Sequence, residues 1–441
     1  MRLHIENFAK IGEADITIDG ITVIAGENNT GKSTVGKILF SQFNALCNIE
    51  HKVMDERLNE IEQSTRMILQ NDINAMDISR SMLLGKIWNM SNRIRQNIRG
   101  LLGEKGAAAG QDIREIAEKE VGAWKELRDT MNPAEWSALI DKITQNINEV
   151  LELPEENIVM EVISRYFNNV FYDQMHSLAP HTANDTMVEL EIKGKKNTIS
   201  FTKNRCKEFI SGIDIAHKAI YIDNPFIIDE LSTINDLNPM GKLLKELLTD
   251  TSGTEPMDGI IETLRAKEKL SDIYAALGSV VDGDIEINKA EDEFYLKNEH
   301  FDEPISFHNL STGMKSFMIL KLLVEKGCIK EKDVIILDEP EIHLHPQWQI
   351  AYAELIVLLQ KHFDLSVVVT THSPYFVDAI NLFSRKYETD AKTNYYLSAN
   401  EGDVAVMENV TDHIDVIYKN LKNLKKVSFD PIFWERASVN I

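Results

Sequence analysis

The stretch Gly26-Glu27-Asn28-Asn29-Thr30-Gly31-Lys32-Ser33 constrains this chain more than any other. It matches G-x-x-x-x-G-K-S, follows the apolar run Ile21-Thr22-Val23-Ile24-Ala25, and leads into the helix-like run Thr34-Val35-Gly36-Lys37-Ile38-Leu39-Phe40. Strand, glycine loop and helix in that order are the context in which such a loop cradles phosphate. Gly26 and Gly31 permit backbone angles that turn successive N–H groups toward one anion. The helix that follows adds its positive N-terminal end to the same place. The expected phosphate-binding set is Asn28, Asn29, Thr30, Gly31, Lys32, Ser33 and Thr34. Lys32 would reach the β- and γ-phosphates of a nucleoside triphosphate, and Ser33 would hold Mg2+ through its hydroxyl.

A second segment, Val334-Ile335-Ile336-Leu337-Asp338-Glu339-Pro340, reads as a buried parallel strand with adjacent acids at its carboxyl end. Ligands of open α/β sheets bind at that end. Adjacent acids after a strand are often plain loop charges, but a phosphate loop in the same chain gives these two a task. Asp338 would position Mg2+, directly or through water, and Glu339 would orient the water that attacks the γ-phosphate. A third piece, Leu310-Ser311-Thr312-Gly313-Met314-Lys315-Ser316, opens an amphipathic helix running to about Glu325, with Ser311 as N-cap and Gly327 as stop. The fourth, Val367-Val368-Val369-Thr370-Thr371-His372-Ser373, is a further buried strand ending in a histidine. A lone histidine is more often structural than catalytic. This one ends the next core strand after Asp338-Glu339, so both should open onto the same sheet edge.

These pieces, in this order, resemble the ATPase head of the ABC superfamily, in its SMC, RecF and OLD type. The resemblance is to an AAA-family ATPase without a TOPRIM nuclease domain. Leu310-Ser311-Thr312-Gly313 is similar to the ABC signature, Asp338-Glu339 to the Walker B ending, and Thr371-His372-Ser373-Pro374 to the switch histidine. The run Asp338-Glu339-Pro340-Glu341-Ile342-His343-Leu344-His345-Pro346 looks especially like OLD-type heads, as does the opening Ile5-Glu6-Asn7-Phe8. The resemblance implies an α/β P-loop NTPase of ABC-head type, with an antiparallel β lobe and a large helical insertion. It implies ATP and Mg2+ as cofactors, with Lys32, Glu339 and His372 in catalytic roles. It also implies that Ser311, Gly313 and Lys315 act in trans on nucleotide held by another copy, so that a homo-oligomer is expected. Thr312 and Met314-Lys315 stand where the commoner signature has Gly and Gln. No glutamine stands out for the family's magnesium-sensing loop; Asn224, after the strand-like Lys218-Ala219-Ile220-Tyr221-Ile222, and Gln174 are the candidates. His343 and His345 fall where the family places a loop that touches the opposing subunit, which is favoured over a metal site.

At 441 residues the length points to more than one lobe, and a 43% hydrophobic content allows a buried core. Three scattered cysteines, Cys47, Cys206 and Cys328, argue against a disulfide framework and for a reducing compartment. No apolar run approaches the roughly 20 residues that cross a bilayer, and the N-terminus lacks a signal-peptide pattern; a cytoplasmic protein with no membrane contact is expected. A formal charge of −23 lowers the expectation of intrinsic DNA binding. The basic runs Lys193-Gly194-Lys195-Lys196 and Lys419 to Lys426 read as a hairpin turn and a solvated helix face, without the interleaved aromatics that stack on bases.

The expected organisation is a head segment 1–41, a helical insertion 42–180, and a second head segment 181–441 with a helical sub-insertion at about 226–277. Helical spacing is clear in Ile78 to Trp88, and the Gly103–Gly110 stretch, Pro133 and Pro154 mark breaks. Strands return at Met187–Ile192 and Thr198–Phe201 as a hairpin, and at Asp284–Ile287 and Glu293–Leu296. Heads of this kind are similar to ATPases of bacterial anti-phage systems such as Septu and PARIS, which act with a separate effector such as a nuclease. The acids Glu401 and Asp403 alone cannot build a TOPRIM site, so no nuclease activity is expected in this chain. Two further readings stand beside this one: a RecF-like DNA repair ATPase, and a nucleotide-dependent scaffold with little turnover.

Overall fold

The computed structural model describes residues 1–73, 80–105, 110–177, 185–230, 238–249, 270–288, 293–298, 300 and 302–422. Several expected features therefore lie wholly or partly outside the described residues. These are Ile78 and Ser79, the centre of the Gly103–Gly110 break, much of 226–277, and the lysine run beyond Lys422. The chain divides into two compact units, one made of Met1–Cys47 with Ile163–Ile441 and the other of Asn48–Val162. The second unit falls inside the stretch 42–180 that carries helical spacing.

The first unit is built on one large sheet. Its strands are β1 (Arg2–Phe8), β2 (Ile11–Thr17), β3 (Ile21–Gly26), β4 (Asp185–Ile192), β5 (Lys195–Thr202), β6 (Arg205–Ile210) and β7 (Ala219–Ile222). After β8 (Asp284–Asn288), β9 (Glu293–Lys297) and β10 (Ile305–Ser306), which form a small separate sheet, come β11 (Val334–Asp338), β12 (Ser366–Thr371), β13 (Thr393–Glu401) and β14 (Val404–Asn409). Among the described residues the large sheet has the order β6-β5-β4-β1-β2-β14-β13-β3-β12-β11-β7.

Two different sequence patterns make its two halves. From β13 through β3, β12 and β11 to β7 every neighbouring pair is parallel. β3 and β7 are buried along their whole length, and Val334–Leu337 and Val367–Thr371 are buried too. Continuous apolar runs of this kind suit strands covered on both faces. Across β1, β2, β4, β5 and β6 the pairs β1–β2, β1–β4, β4–β5 and β5–β6 are antiparallel. Here burial alternates: Val188 and Leu190 point inward while Glu189 and Glu191 stay partly exposed, the habit of a sheet with one wet face. The β4–β5 hairpin turns at Lys193-Gly194, both at positive φ, as a tight two-residue turn requires. The α/β class and the antiparallel lobe expected from sequence are thus both present. The strands β6, β13 and β14 had no counterpart in the sequence reading.

Helices Lys32–Leu46, Thr312–Glu325, Pro346–Phe363 and Pro374–Lys386 belong to this unit. Phe317 meets Tyr352 edge-on at 5.0 Å, so the helices 312–325 and 346–363 join the core through aromatic contact. Phe40 packs edge-on against Tyr221 of β7, with ring centroids 6.0 Å apart, which seats the helix after the glycine loop on the sheet.

The second unit is helical: Ile49–Ile73, Arg80–Lys105, Gly110–Gly122, Lys125–Thr130 and Pro133–Glu152. Ile87, Ile94 and Ile98 from one helix and Ile140, Ile143 and Ile147 from another are fully buried in one cluster, as their helical spacing requires. Asn132 starts the helix 133–152 with a capping box, its side chain accepting from Glu135 N while Glu135 accepts from Asn132 N. Arg57 closes the other end, donating to the carbonyls of Val150 and Leu151 at 2.8 and 2.6 Å and to Leu153 at 2.7 Å. No helix among the described residues is long and apolar enough to cross a membrane.

Candidate nucleotide-binding and hydrolysis site

The glycine loop leaves the sheet where β3 ends, at Gly26, and closes into the helix at Lys32. Gly31 sits at φ +83° as the residue before the helix, a left-handed conformation that a side chain would strain. The loop is stapled from within and from β13. Thr30 donates its hydroxyl to the Glu27 carbonyl at 2.8 Å, and Ser398 donates to the Thr30 carbonyl at 2.6 Å. Lys10 donates to the Asn29 carbonyl at 2.7 Å. Asn28 and Asn29 face solvent, whereas Thr30 and Lys32 are buried.

Lys32 is 4% exposed, and its ammonium donates to the carbonyls of Gly26 at 3.0 Å and Glu27 at 2.6 Å. Its Nζ also lies 3.7 Å from Glu339 Oε1. Burial pulls the ammonium below its ordinary pKa, and the charges of Glu339, Asp338 and Glu341 act in the opposite direction.

Asp338, the last residue of β11, is held by three hydroxyls from three elements. Ser33 from the helix after the loop donates to Oδ1 at 2.9 Å, Tyr221 of β7 donates to Oδ2 at 2.6 Å, and the Thr370 hydroxyl of β12 also donates to Oδ1. The strand register explains the meeting. Asp338 pairs with Thr370, and Ile336 pairs with Tyr221, so a hydroxyl stands on either side of the carboxylate. Hydroxyl and carboxylate oxygens are the donors that Mg2+ prefers, so Ser33 and Asp338 fit that ion. Asp223, just past β7, is exposed to solvent on one side, yet desolvation and then the Asp338 charge raise its carboxyl above the usual range.

Beyond Asp338 the chain turns at Glu339, whose φ is +49°. Its N–H still donates to the Thr370 carbonyl at 3.1 Å, so the turn stays fastened to β12. The Glu339 carboxylate is bracketed: Oε1 faces Lys32, and Oε2 lies 3.7 Å from His372 Nδ1. Glu341, only 2% exposed, accepts the Thr371 hydroxyl and, at 3.2 Å, the His372 N–H. Burial pushes its carboxyl upward, against the hydrogen bond from Thr371.

The structure therefore gathers Lys32, Ser33, Asp338, Glu339 and His372 at one edge of the sheet. Ser311 caps the helix 312–325, accepting from Met314 N at 3.4 Å. Ser311, Thr312 and Gly313 line a recess of about 470 Å³ with His343, His345 and Trp348, and none of the loop residues Asn28–Thr34 lines it. Only glycine fits at position 313, where a Cβ would come within 2.9 Å of the Trp348 ring and 3.0 Å of the His343 carbonyl. Lys315 points inward instead. It is 3% exposed in its side chain and donates to Asp229 at 2.8 and 2.6 Å and to the His308 carbonyl at 3.3 Å. Asn224 follows β7 and accepts from Phe226 N at 2.9 Å, whereas Gln174 follows the helix Glu155–Phe171, near the bridge of His176 to Phe8 of β1. Tyr221, Asp223, Thr370, Glu341 and Ser398 were missed from sequence. The first four share one signal, a polar group in the last residues of an apolar strand or just beyond it.

Parts of this chain are similar to known proteins. The Septu protein PtuA of Bacillus thuringiensis is 38% identical over 105 residues, covering 19% of this chain and 26% of that protein. The ribosome protection protein VmlR of Bacillus subtilis (strain 168) is 32% identical over 93 residues, covering 20% of this chain and 16% of that one. The chain thus spans about a quarter or less of the length of these relatives. Among solved structures, an SMC head domain from Thermotoga maritima aligns over 93% of this chain and 98% of its own, with 11% identity and a TM-score of 0.39. An SmcHead bound to the C-winged helix domain of ScpA aligns over 94% and 98%, with 12% identity and a TM-score of 0.45. The family description AAA ATPase domain matches residues 1–377, and the chain belongs to that family.

Proposed function

We propose that this chain is an ATP-binding and ATP-hydrolysing switch whose nucleotide site is completed by a second copy. The observation that carries the reading is the meeting of Ser33 and Asp338, 2.9 Å apart, with the neighbouring residues Lys32 and Glu339 paired at 3.7 Å. The loop N–H groups and Lys32 would bind the β- and γ-phosphates, Lys32 exchanging its carbonyl partners for phosphate oxygens. Ser33 and Asp338 would hold Mg2+, which supplies positive charge against the phosphates. Glu339 would orient a water for in-line attack on the γ-phosphorus and take its proton. The bond from the γ-phosphorus to the bridging oxygen breaks, leaving ADP and inorganic phosphate. His372, 3.7 Å from Glu339, would steady that carboxylate.

The recess at Ser311, Thr312 and Gly313 supports a role for a second copy, since it presents a helix start and small side chains to something outside the single chain. Lys315 has no part in that role while it is paired with Asp229. The likeness to the Septu protein PtuA supports a place in bacterial anti-phage defence, with the ATP state controlling a separate effector such as a nuclease. Phosphate release by the purified chain with ATP, with and without magnesium, tests the chemistry. Turnover that stops when EDTA removes the metal is expected. A chain that turns over equally in EDTA, or never turns over, contradicts it.

A further inference from the structure

Glu341 has no assigned task, yet it is the most deeply buried carboxylate of the cluster. Its surroundings show what it does. β11 and β12 run side by side up to the pair Asp338–Thr370, and the Glu339 N–H makes the last backbone link between them. Past that point the two chains part. One enters the turn that carries Glu339; the other goes on through Thr371 to His372. The Glu341 side chain spans the gap, accepting both the Thr371 hydroxyl and the His372 N–H on Oε1. It thereby replaces the ladder where the ladder has stopped. The same oxygen lies 3.7 Å from His372 Nδ1, the nitrogen that also faces Glu339 at 3.7 Å.

We propose that Glu341 is a positioning residue for hydrolysis: it locks the turn bearing Glu339 to the strand end bearing His372, and so fixes the Glu339 carboxylate where the attacking water must stand. This rests on the reading of Glu339 as the group that orients that water. A buried carboxylate whose two donors sit on the neighbouring segment resists relative sliding, and small misplacements of a reacting geometry are costly. The Glu341 side chain makes no hydrogen bond described above to the phosphate loop or to Ser33 and Asp338, and its charge acts on Lys32 less than those of Glu339 and Asp338, so its loss should change ATP affinity little.

The test compares Glu341→Ala, Glu341→Gln and Thr371→Val in kcat and KM for ATP, with kcat counted per nucleotide-binding site. Glu341→Ala should lose about 100-fold in kcat with KM changed by less than about threefold. Glu341→Gln keeps an oxygen for both donors and should stay within about tenfold of the parent. Thr371→Val removes one donor at constant volume and should fall between them, which reads the same contact if the alanine variant folds poorly. The proposal is overturned if Glu341→Ala or Thr371→Val turns over at the parental kcat, if KM rises in step with the loss, or if Glu341→Gln falls as far as alanine. An inactive parent chain would overturn the hydrolysis reading and this inference with it. An active parent with indifferent variants overturns this inference alone.

Discussion

The Ser33 hydroxyl donates to Asp338 Oδ1 at 2.9 Å, although 305 positions separate the two residues in the chain. That contact joins the start of the helix after the glycine loop to the end of β11. The sheet achieves it by placing β12 between β3 and β11, with all three strands parallel, so that both carboxyl ends face the same side. Phosphate-binding and metal-binding groups are then neighbours by topology, and the local conformations need only aim them.

Lys32 is the sole cation described as bearing on both the loop carbonyls and Glu339. Its replacement by alanine removes a charge-assisted contact to phosphate, a loss of about 2–3 kcal/mol, or roughly 100-fold in affinity. Titration of Lys32→Ala with a fluorescent ATP analogue should show that loss, while its thermal unfolding stays cooperative. Parental affinity in this variant would remove Lys32 from the site.

Tyr221 tests how far Asp338 depends on its supports. Tyr221→Phe deletes the hydroxyl that donates to Oδ2 at 2.6 Å and leaves the ring against Phe40. Leaving a partly buried carboxylate oxygen short of a donor costs about 1 kcal/mol of stability. Metal-supporting contacts of this kind are typically worth about 10–100-fold in metal affinity or activity. The magnesium concentration giving half-maximal turnover should therefore rise in Tyr221→Phe; an unchanged value would show that Ser33 and Thr370 suffice.

Asp223 supplies a pH dependence. Although the residue is exposed, its carboxyl is raised above the ordinary 3.8 by partial desolvation and by the charge of Asp338. A folded-state value above the unfolded one means that the stabilising contribution is complete below about pH 3.8 and is lost as pH rises through the folded value. Asp223→Asn removes that loss. Melting temperatures measured from pH 4 upward should show the variant gaining on the parent as pH rises toward about 7. A gap that is constant with pH, or that shrinks, would contradict the assignment.

What could be read from sequence follows from how local each signal is. Lys32 and Ser33 lie in one contiguous motif, and Asp338, Glu339 and His372 each end or directly follow an apolar run, so their convergence was legible once the runs were taken as parallel strands. Tyr221 and Thr370 were not, because their value depends on register. Nothing in Ala219–Ile222 shows that its tyrosine lies opposite Ile336, two residues before the carboxylate. Glu341 was read as part of a motif without a task, since its partners come from the end of another strand. β13 and β14 escaped because Thr393–Glu401 mixes Tyr and Leu with Asn, Ser and Glu. Their strand character comes from pairing with β3 and with each other. Lys315 was expected to act in trans with the signature; the partner that draws it inward, Asp229, is 86 positions away.

The most direct test is the size and nucleotide content of Glu339→Gln in the presence of magnesium and ATP. The glutamine keeps the shape of the turn beside Lys32 and His372 but cannot accept the proton of the attacking water, a change worth roughly 100-fold or more in rate. Light scattering on the purified variant should report a mass twice that of the 50.2 kDa chain, with one unhydrolysed ATP per chain, returning to the single-chain mass when ATP is withdrawn. A variant that binds ATP as a solitary chain, or that releases phosphate at the parental rate, would contradict a pocket built from two copies with Glu339 as its base.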